Sequence, residues 1–371
     1  MSELFMILGF MLAAYAVIAN DSIQTLGTFM HSNRRRPWWV LFAFASTILV
    51  ITLVGGWALS FVEASGIDVP IYQSSQAGDP AWARLSDYPQ IQVFNWVYVI
   101  PPLVLLIVTR IGIPVSTSFM VLTFVSTVSA VELQENAQFT EMLLKSMQGY
   151  GLAALTGLVI FLAITKFTEA RWRQEDDEKG QRLGWVIAQW ISTGVLWSMW
   201  LAQDMANIFI FLPRSLPWWA ILLVVIWMVA IQAIIFRERG GAIQNVVKQK
   251  SNTGDIRSAT IIDLTYGILL AYKLTISTVP MSTTWVFVGL LAGRQVGMAT
   301  IGLFSKDSSV PLGKAFLLSG KDLAKVIFGL GLSVILALSL AQFKPEQPSV
   351  DQPVDQQVIE DAVDDAVGAP E

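Results

Sequence analysis

Two acidic residues lie inside long apolar stretches of the chain, Asp21 in the first half and Asp204 in the second. Amide side chains are close to both in the sequence, Asn20 and Gln24 in the first stretch and Gln203 and Asn207 in the second. A carboxylate within a membrane costs about 2.5–3.5 kcal/mol on insertion scales, so it usually faces a cavity or a partner. Carboxylate and amide oxygens suit Na⁺, and the carboxylates can instead take up protons. The predicted Na⁺ ligands are Asn20, Asp21, Gln203 and Asp204.

A hydroxyl-rich triplet follows a proline at two other places. The triplets are Ser116, Thr117 and Ser118 after Pro114, and Ser282, Thr283 and Thr284 after Pro280. Proline suits the first turn of a helix, where Ser and Thr side chains cap free N–H groups. A helix N-terminus carries a partial positive charge and exposed donors, which favour an anion. The two motifs therefore predict a central cavity that holds an anion between two helix N-termini.

An anion beside two carboxylates would be repelled unless cations were also present. The combined motifs therefore predict cation-coupled anion uptake. Two structural alternatives remain open: each Asp could form a buried ion pair with Lys273 or Arg294, and a Ser/Thr triplet in a membrane helix often serves packing alone. Asp263, which lies near the start of another apolar segment, receives no role from the sequence.

Three landmarks occur twice along the chain in the same order. They are the Asp motif, a Pro-Trp-Trp sequence at 37–39 and 217–219, and the Pro-Ser/Thr motif, with offsets of 183, 180 and 166 residues. Three ordered matches indicate an internal duplication. The Trp pairs are typical of the membrane–water interface, so no recognition role is assigned to them.

The composition indicates a polytopic membrane protein, because 54% of the residues are hydrophobic and only 14% are charged. Apolar segments fall at about 4–30, 38–61, 94–110, 112–131 and 146–165, and at about 183–212, 217–236, 261–279, 281–303 and 323–342. Five spans in each half would invert the second copy relative to the first. The predicted fold is thus all-α, with about ten transmembrane or re-entrant segments in two inverted repeats.

Basic residues predict the orientation of these segments. If the segments cross alternately from an outside N-terminus, 18 of the 24 Lys and Arg residues fall in loops on the inner side and four on the outer side. Because positive charge concentrates on the cytoplasmic side of membrane proteins, the chain is predicted to lie in the cell (inner) membrane with both termini extracytoplasmic.

The same reading divides the chain into four parts. Residues 1–165 form the first repeat, 166–182 a charged cytoplasmic linker, 183–342 the second repeat, and 343–371 an acidic tail whose composition predicts disorder. The outer loop at 62–93 carries scattered Pro and Gly residues and is predicted to be loose.

At its motifs the chain resembles the inorganic phosphate transporter (PiT) family of sodium- or proton-coupled symporters, which includes sulfate permeases. That family carries a Gly-x-Asn-Asp-x-x-Asn-like motif near the start of each half and a Pro-x-Ser-Thr-Thr-His-like motif later. The resemblance implies phosphate contacts at Asp21, Gln24, Ser116, Thr117, Ser118, Asp204, Asn207, Ser282, Thr283 and Thr284. Four positions depart from the family: Gln24 and Gln203 replace Asn, and Phe119 and Trp285 replace His.

What the resemblance implies is import of inorganic phosphate with Na⁺ or H⁺ by alternating access. A sulfate or other oxyanion permease of the same fold is one alternative, and a membrane sensor or scaffold without transport is another. The chain has no cysteine and a single histidine, so it does not indicate an enzyme, a cofactor other than the coupling ion, or a thiolate metal site. Its net charge of −4 gives no indication of a nucleic-acid partner. Assembly of several copies of the chain stays open.

Overall fold

The computed structural model describes residues 1–69, 76–82, 84–86, 88–111, 113, 115–129, 137–164, 183–238, 256–276, 280–302 and 311–347. Helices make up most of these residues, and none of them forms a strand. Pro114, the predicted linker at 166–182 and the tail beyond Gln347 lie outside the described residues.

The helices follow the apolar segments of the sequence. In the first half they are α1 (Ser2–Ser32), α2 (Trp38–Ala64), a 3₁₀ turn (Trp96–Val99) continuing into α3 (Ile100–Arg110), α4 (Thr117–Ser129) and α5 (Ala137–Ile164). In the second half they are α6 (Leu183–Asp204), the short α7 (Ala206–Phe209), α8 (Trp218–Arg237), α9 (Ile256–Ile276), α10 (Thr283–Gly302) and α11 (Leu312–Ala341).

Within the described part of the chain, five helices are long and apolar enough to cross a membrane, namely α1, α2, α5, α8 and α11. Large apolar side chains on their outer faces are exposed in the isolated chain, among them Ile51, Val159, Leu223 and Ile335. An isolated soluble domain rarely exposes so much apolar surface, whereas a bilayer covers it. The described residues therefore form an all-helical fold, and its apolar helices indicate a membrane protein.

Helices α1 and α6, which carry the two Asp motifs, run antiparallel. Near the end of α1, Gln189 Nε2 donates to Ser32 Oγ at 2.6 Å. Nearer the middle, Thr28 of α1 and Thr193 of α6 both donate to the Asp263 carboxylate, which comes from α9. Residue numbers therefore increase along α1 in the direction in which they decrease along α6, as in an antiparallel pair.

Helices α5 and α10 lie parallel with their backbones in close contact. A Cβ built on Gly289 would meet the Tyr150 carbonyl oxygen at 2.4 Å, and one built on Gly293 would meet the Ala154 oxygen at 1.9 Å. Small residues four apart allow this approach between membrane helices. Gly289 and Gly293 therefore serve the packing of α10 on α5.

Helices α4 and α11 form a second parallel pair. The side chain of Val115, just before α4, lies 3.1 Å from the Cβ position of Gly329, and Ser333 lies one turn further along, with its Oγ 3.8 Å from Met120 Sδ. The fourth helical segment of each half thus packs on the fifth of the other half.

The outer loop is packed rather than loose over its described part. Ala81, Leu85 and Tyr88 are buried, Arg84 Nη2 donates to the Leu274 carbonyl at 2.8 Å, and Arg214 Nη2 donates to the Tyr88 carbonyl at 3.0 Å. Burial lowers the pKa of both guanidinium groups to about 10, so they keep their charge at neutral pH. The prediction of a loose loop is therefore wrong for these residues, because buried contacts order them.

The first residues of the predicted tail fold back on the chain. Gln347 Oε1 accepts hydrogen bonds from the backbone N–H groups of Gln92 and Val93 at 2.9 and 3.0 Å. Its Nε2 donates to the Val93 carbonyl at 2.9 Å. Ordered contacts thus extend as far as Gln347, beyond which the structure describes nothing.

Candidate functional site

Asp21 lies in the interior of α1 and is 1% exposed. Thr117 Oγ1, at the start of α4, donates to its Oδ2 at 2.8 Å, and Asn20 Nδ2 donates to its Oδ1 at 2.7 Å. The Asn20 Nδ2 group also reaches the Val115 carbonyl at 2.7 Å, so the N-terminal end of α4 is attached to α1 at two points.

Asp204 lies at the end of α6 and is fully buried. Thr283 Oγ1, at the start of α10, donates to its Oδ2 at 2.5 Å. Asn207 Nδ2 donates to its Oδ1 at 3.2 Å, and Ser118 Oγ donates to the same oxygen at 3.3 Å. This carboxylate is therefore held by hydroxyl and amide donors from both halves of the chain.

The two halves build their sites in the same way. In each, the middle residue of the hydroxyl triplet, Thr117 or Thr283, donates to the carboxylate of its own half. The first residue caps the new helix: Ser116 Oγ accepts from the Phe119 N–H at 3.2 Å, and Ser282 Oγ accepts from the Trp285 N–H at 3.3 Å. The capping role predicted for these serines is confirmed in both helices.

Cross-links join the two half-sites into one cluster. Asn207 Nδ2 donates to Thr117 Oγ1 at 3.1 Å and to Ser118 Oγ at 3.2 Å. Thr284 Oγ1 lies 3.4 Å from the Val115 carbonyl that also accepts from Asn20. Asn207 Nδ2 thus lies within 3.2 Å both of Asp204 Oδ1 and of the Thr117 hydroxyl that donates to Asp21. The structure thus brings the two Asp motifs and both hydroxyl triplets together.

The two glutamines take different positions. Gln24 Nε2 lies 3.4 Å from Asp21 Oδ1, so this side chain belongs to the cluster. Gln203 Nε2 instead donates to the Leu270 carbonyl of α9 at 3.3 Å. Of the four residues predicted to hold Na⁺, Gln203 is therefore directed toward a neighbouring helix.

Two amide oxygens at the site lack a donor within the described part of the chain. Asn20 Oδ1 and Asn207 Oδ1 are buried without a hydrogen-bond partner. A buried acceptor left unpaired costs about 1–3 kcal/mol, so such atoms call for an explanation. Each amide donates to a carboxylate through its nitrogen, which leaves its oxygen available to a cation.

Neither site carboxylate is paired with a basic side chain among the described residues. Hydroxyl and amide donors account for the hydrogen bonds of Asp21 and Asp204. Arg294 is fully buried elsewhere, with Cζ 5.1 Å from the centre of the Phe161 ring. The alternative in which the acids form ion pairs with Lys273 or Arg294 is therefore not what the structure has.

Tyr266 of α9 is a member of the site that the sequence did not indicate. Its hydroxyl donates to the Thr283 carbonyl at 3.0 Å, and Thr283 is the residue whose own hydroxyl donates to Asp204. A single Tyr in an apolar segment has no duplicated counterpart and no motif around it. Only the packing of α9 against the site identifies it.

The positions at which the family has His are occupied by an aromatic pair. The rings of Phe119 and Trp285 lie 5.8 Å apart, and Tyr150 contacts Trp285 from α5. An apolar contact therefore stands where the resemblance would place two polar side chains.

Comparison with protein-family models, with curated proteins and with solved structures finds no match. What the chain does is therefore inferred from the chemistry of its own residues.

Proposed function

We propose that this chain is a secondary active transporter that imports inorganic phosphate together with Na⁺, or H⁺ in its place. The observation that carries the proposal is the matched pair of carboxylate–hydroxyl contacts, Asp21 with Thr117 and Asp204 with Thr283, at the starts of two helices. A buried cluster of this kind combines oxygen ligands for a cation with donors for an anion. It would make this chain a PiT-like symporter.

The architecture proposed is ten segments in two inverted repeats, with the site between them. Support comes from the antiparallel course of α1 and α6, which carry the matched Asp motifs. The reciprocal parallel pairs, α5 with α10 and α4 with α11, agree with it. Transporters of this type bind substrate at the interface of their repeats, so one repeat can move against the other.

The first turns of α4 and α10 supply the anion donors in this proposal. Thr117 and Ser118 lie in the first turn of α4, and Thr283 and Thr284 lie in the first turn of α10. Backbone N–H groups in the first turn of a helix have no carbonyl acceptor within that helix. They are joined by the adjacent hydroxyls. An oxyanion between the two helix ends would receive donors and a favourable dipole from both halves.

Coupling would follow from competition for the hydroxyl groups. In the structure, Thr117 and Thr283 donate to the carboxylates. A cation on the carboxylates and on the free amide oxygens satisfies those charges, so the hydroxyls can turn toward the anion. Each ion then strengthens the binding of the other, as thermodynamic linkage requires.

Phosphate fits these carboxylates better than sulfate. Both are tetrahedral oxyanions, but phosphate at neutral pH carries at least one O–H, whereas sulfate carries none. A carboxylate accepts hydrogen bonds and cannot donate them, so Asp21 or Asp204 could bind the phosphate proton. Against sulfate, the same group would present only repulsion.

We therefore expect proteoliposomes to accumulate radiolabelled phosphate when a Na⁺ or H⁺ gradient points inward. Unlabelled sulfate at tenfold excess should reduce uptake by less than about one half, because it lacks the proton that the carboxylate accepts. Uptake of sulfate without phosphate would transfer the proposal to the sulfate-permease alternative. Tight anion binding without any accumulation would favour a sensor.

The proposed orientation makes a separate prediction. Reporter domains fused after Asp79 and after Pro348 should lie outside the cell membrane, and a reporter after Lys250 should lie inside, because basic loops stay in the cytoplasm. Protease accessibility of each reporter in whole cells measures this. A Lys250 fusion found outside would contradict the inverted ten-segment arrangement.

A further inference from the structure

Asp263 of α9 is a third fully buried carboxylate, apart from the Asp21–Asp204 pair. Thr28 of α1 donates to its Oδ1, and Thr193 of α6 donates to its Oδ2 at 2.5 Å. No basic side chain contributes to these hydrogen bonds within the described residues. A buried carboxylate that lacks a cationic partner is costly, which makes it a candidate functional group.

This carboxylate lies on a file of polar groups that starts at the central site. Asp21, Thr25, Thr28 and Ser32 are spaced so that they share one face of α1, and all are buried. Seven residues separate Asp21 from Thr28, or about 10 Å of helix. Between them, the buried Thr25 Oγ1 has no hydrogen-bond partner in the described part of the chain.

The file continues to an exposed basic end. Beyond Asp263, Gln189 Nε2 donates to Ser32 Oγ at 2.6 Å, and Asn33 Nδ2 donates to Gln189 Oε1 at 2.6 Å. Arg36 Nε then donates to Asn33 Oδ1 at 3.2 Å. Arg36 is exposed, so polar groups lead from the central site to the end of α1.

The duplication shows that this file is not a general feature of the fold. The 183-residue offset pairs Thr25 with Ile208 and Thr28 with Phe211, and it pairs Thr193 with Phe10. All three partners are buried and apolar, and the ring centroid of Phe211 lies 6.4 Å from that of Phe94. Helix packing alone would have allowed apolar residues on both sides, so the polar side has a separate cause.

We infer that Asp263, with Thr28 and Thr193, forms a transient Na⁺ site on the release path from the central site. The inference rests on the proposed cation-coupled transport. Each Thr hydroxyl donates to the carboxylate and keeps oxygen lone pairs, so the cluster offers Na⁺ four oxygens and one negative charge. An ion leaving Asp21 would pass the unpartnered Thr25 hydroxyl and bind here before it reaches the basic end.

Net uptake and exchange separate this role from a structural one. Net uptake requires Na⁺ to leave, whereas phosphate exchange with saturating Na⁺ on both sides does not. We expect Asp263→Asn to reduce Na⁺-driven net uptake about tenfold while exchange stays above half of the wild-type rate. Asp322→Asn is the matched control, since Asp322 of α11 is also buried but lies off the file. Equal loss of uptake and exchange, or no loss of either, would overturn the inference.

Sodium binding gives a second readout that needs no transport. In the Asp21→Asn/Asp204→Asn double variant, Na⁺ should still raise the melting temperature relative to N-methylglucamine at equal ionic strength, because ligand binding stabilises the folded state. Adding Asp263→Asn should abolish that rise. A rise that persists without Asp263, or none in the double variant, would overturn the inference. If the wild type moves no anion while Na⁺ stabilisation depends on Asp263, the transport proposal fails and the Na⁺ site stands.

Discussion

Phosphate uptake is expected to fall about 100-fold when either Asp21 or Asp204 is replaced by Asn. Each carboxylate accepts one hydrogen bond from a hydroxyl of its own triplet and one from the amide of a neighbouring Asn. The amide of Asn keeps the shape but removes the charge that would hold the cation. The pair in question is the carboxylate and its bound cation. Removing one member of a buried pair of charges costs about 3 kcal/mol or more, which corresponds to the expected factor of about 100.

The measurement is initial uptake in proteoliposomes at matched protein density, with insertion and monodispersity checked for each variant. Asp322→Asn makes the same chemical change on a buried acid outside the site and should keep near-normal uptake. Wild-type uptake by Asp21→Asn or Asp204→Asn would show that the acid in question serves structure alone. Loss in only one variant would mean that the two halves contribute unequally.

The sequence predicts that the two Asp motifs lie close to the two hydroxyl triplets, because each motif occurs twice in the chain. A residue type that recurs at matched places in two halves is expected near the contact between them. Thr117 and Thr283 follow this rule, each bound to the acid of its own half. The sequence could not give the cross-links of Asn207, which depend on how the halves pack.

Residues that occur in only one half could not be assigned in this way. Tyr266 and Asp263 both lie on α9 and have no duplicated counterpart, so neither receives a role from the sequence. The outer loop differs from its prediction for another reason. Its Pro, Gly and acidic residues are typical of a mobile segment, but contacts such as that of Arg84 with the Leu274 carbonyl come from distant parts of the chain. Local composition does not encode those partners.

The backbone contact of α5 with α10 makes a prediction about folding that does not depend on function. A Cβ on Gly293 would lie 1.9 Å from the Ala154 carbonyl oxygen and 2.7 Å from the Leu158 nitrogen. Both are backbone atoms, so no side chain can rotate away and the helices must separate. We expect Gly293→Ala to destabilise the protein by about 2–3 kcal/mol, because overpacking outweighs the helix propensity gained.

Thermal unfolding in detergent, followed by tryptophan fluorescence, measures this effect, and a drop of about 5 °C or more is expected. Gly151→Ala is the matched control, because a Cβ on Gly151 of α5 would meet nothing within 4 Å. It should leave the melting temperature unchanged or raise it slightly, since Ala favours helix over Gly. Separation of α5 from α10 would also displace the first turn of α10, which presents Thr283 to Asp204. A Gly293→Ala protein as stable as Gly151→Ala would show that the two helices do not pack as closely as the structure has them.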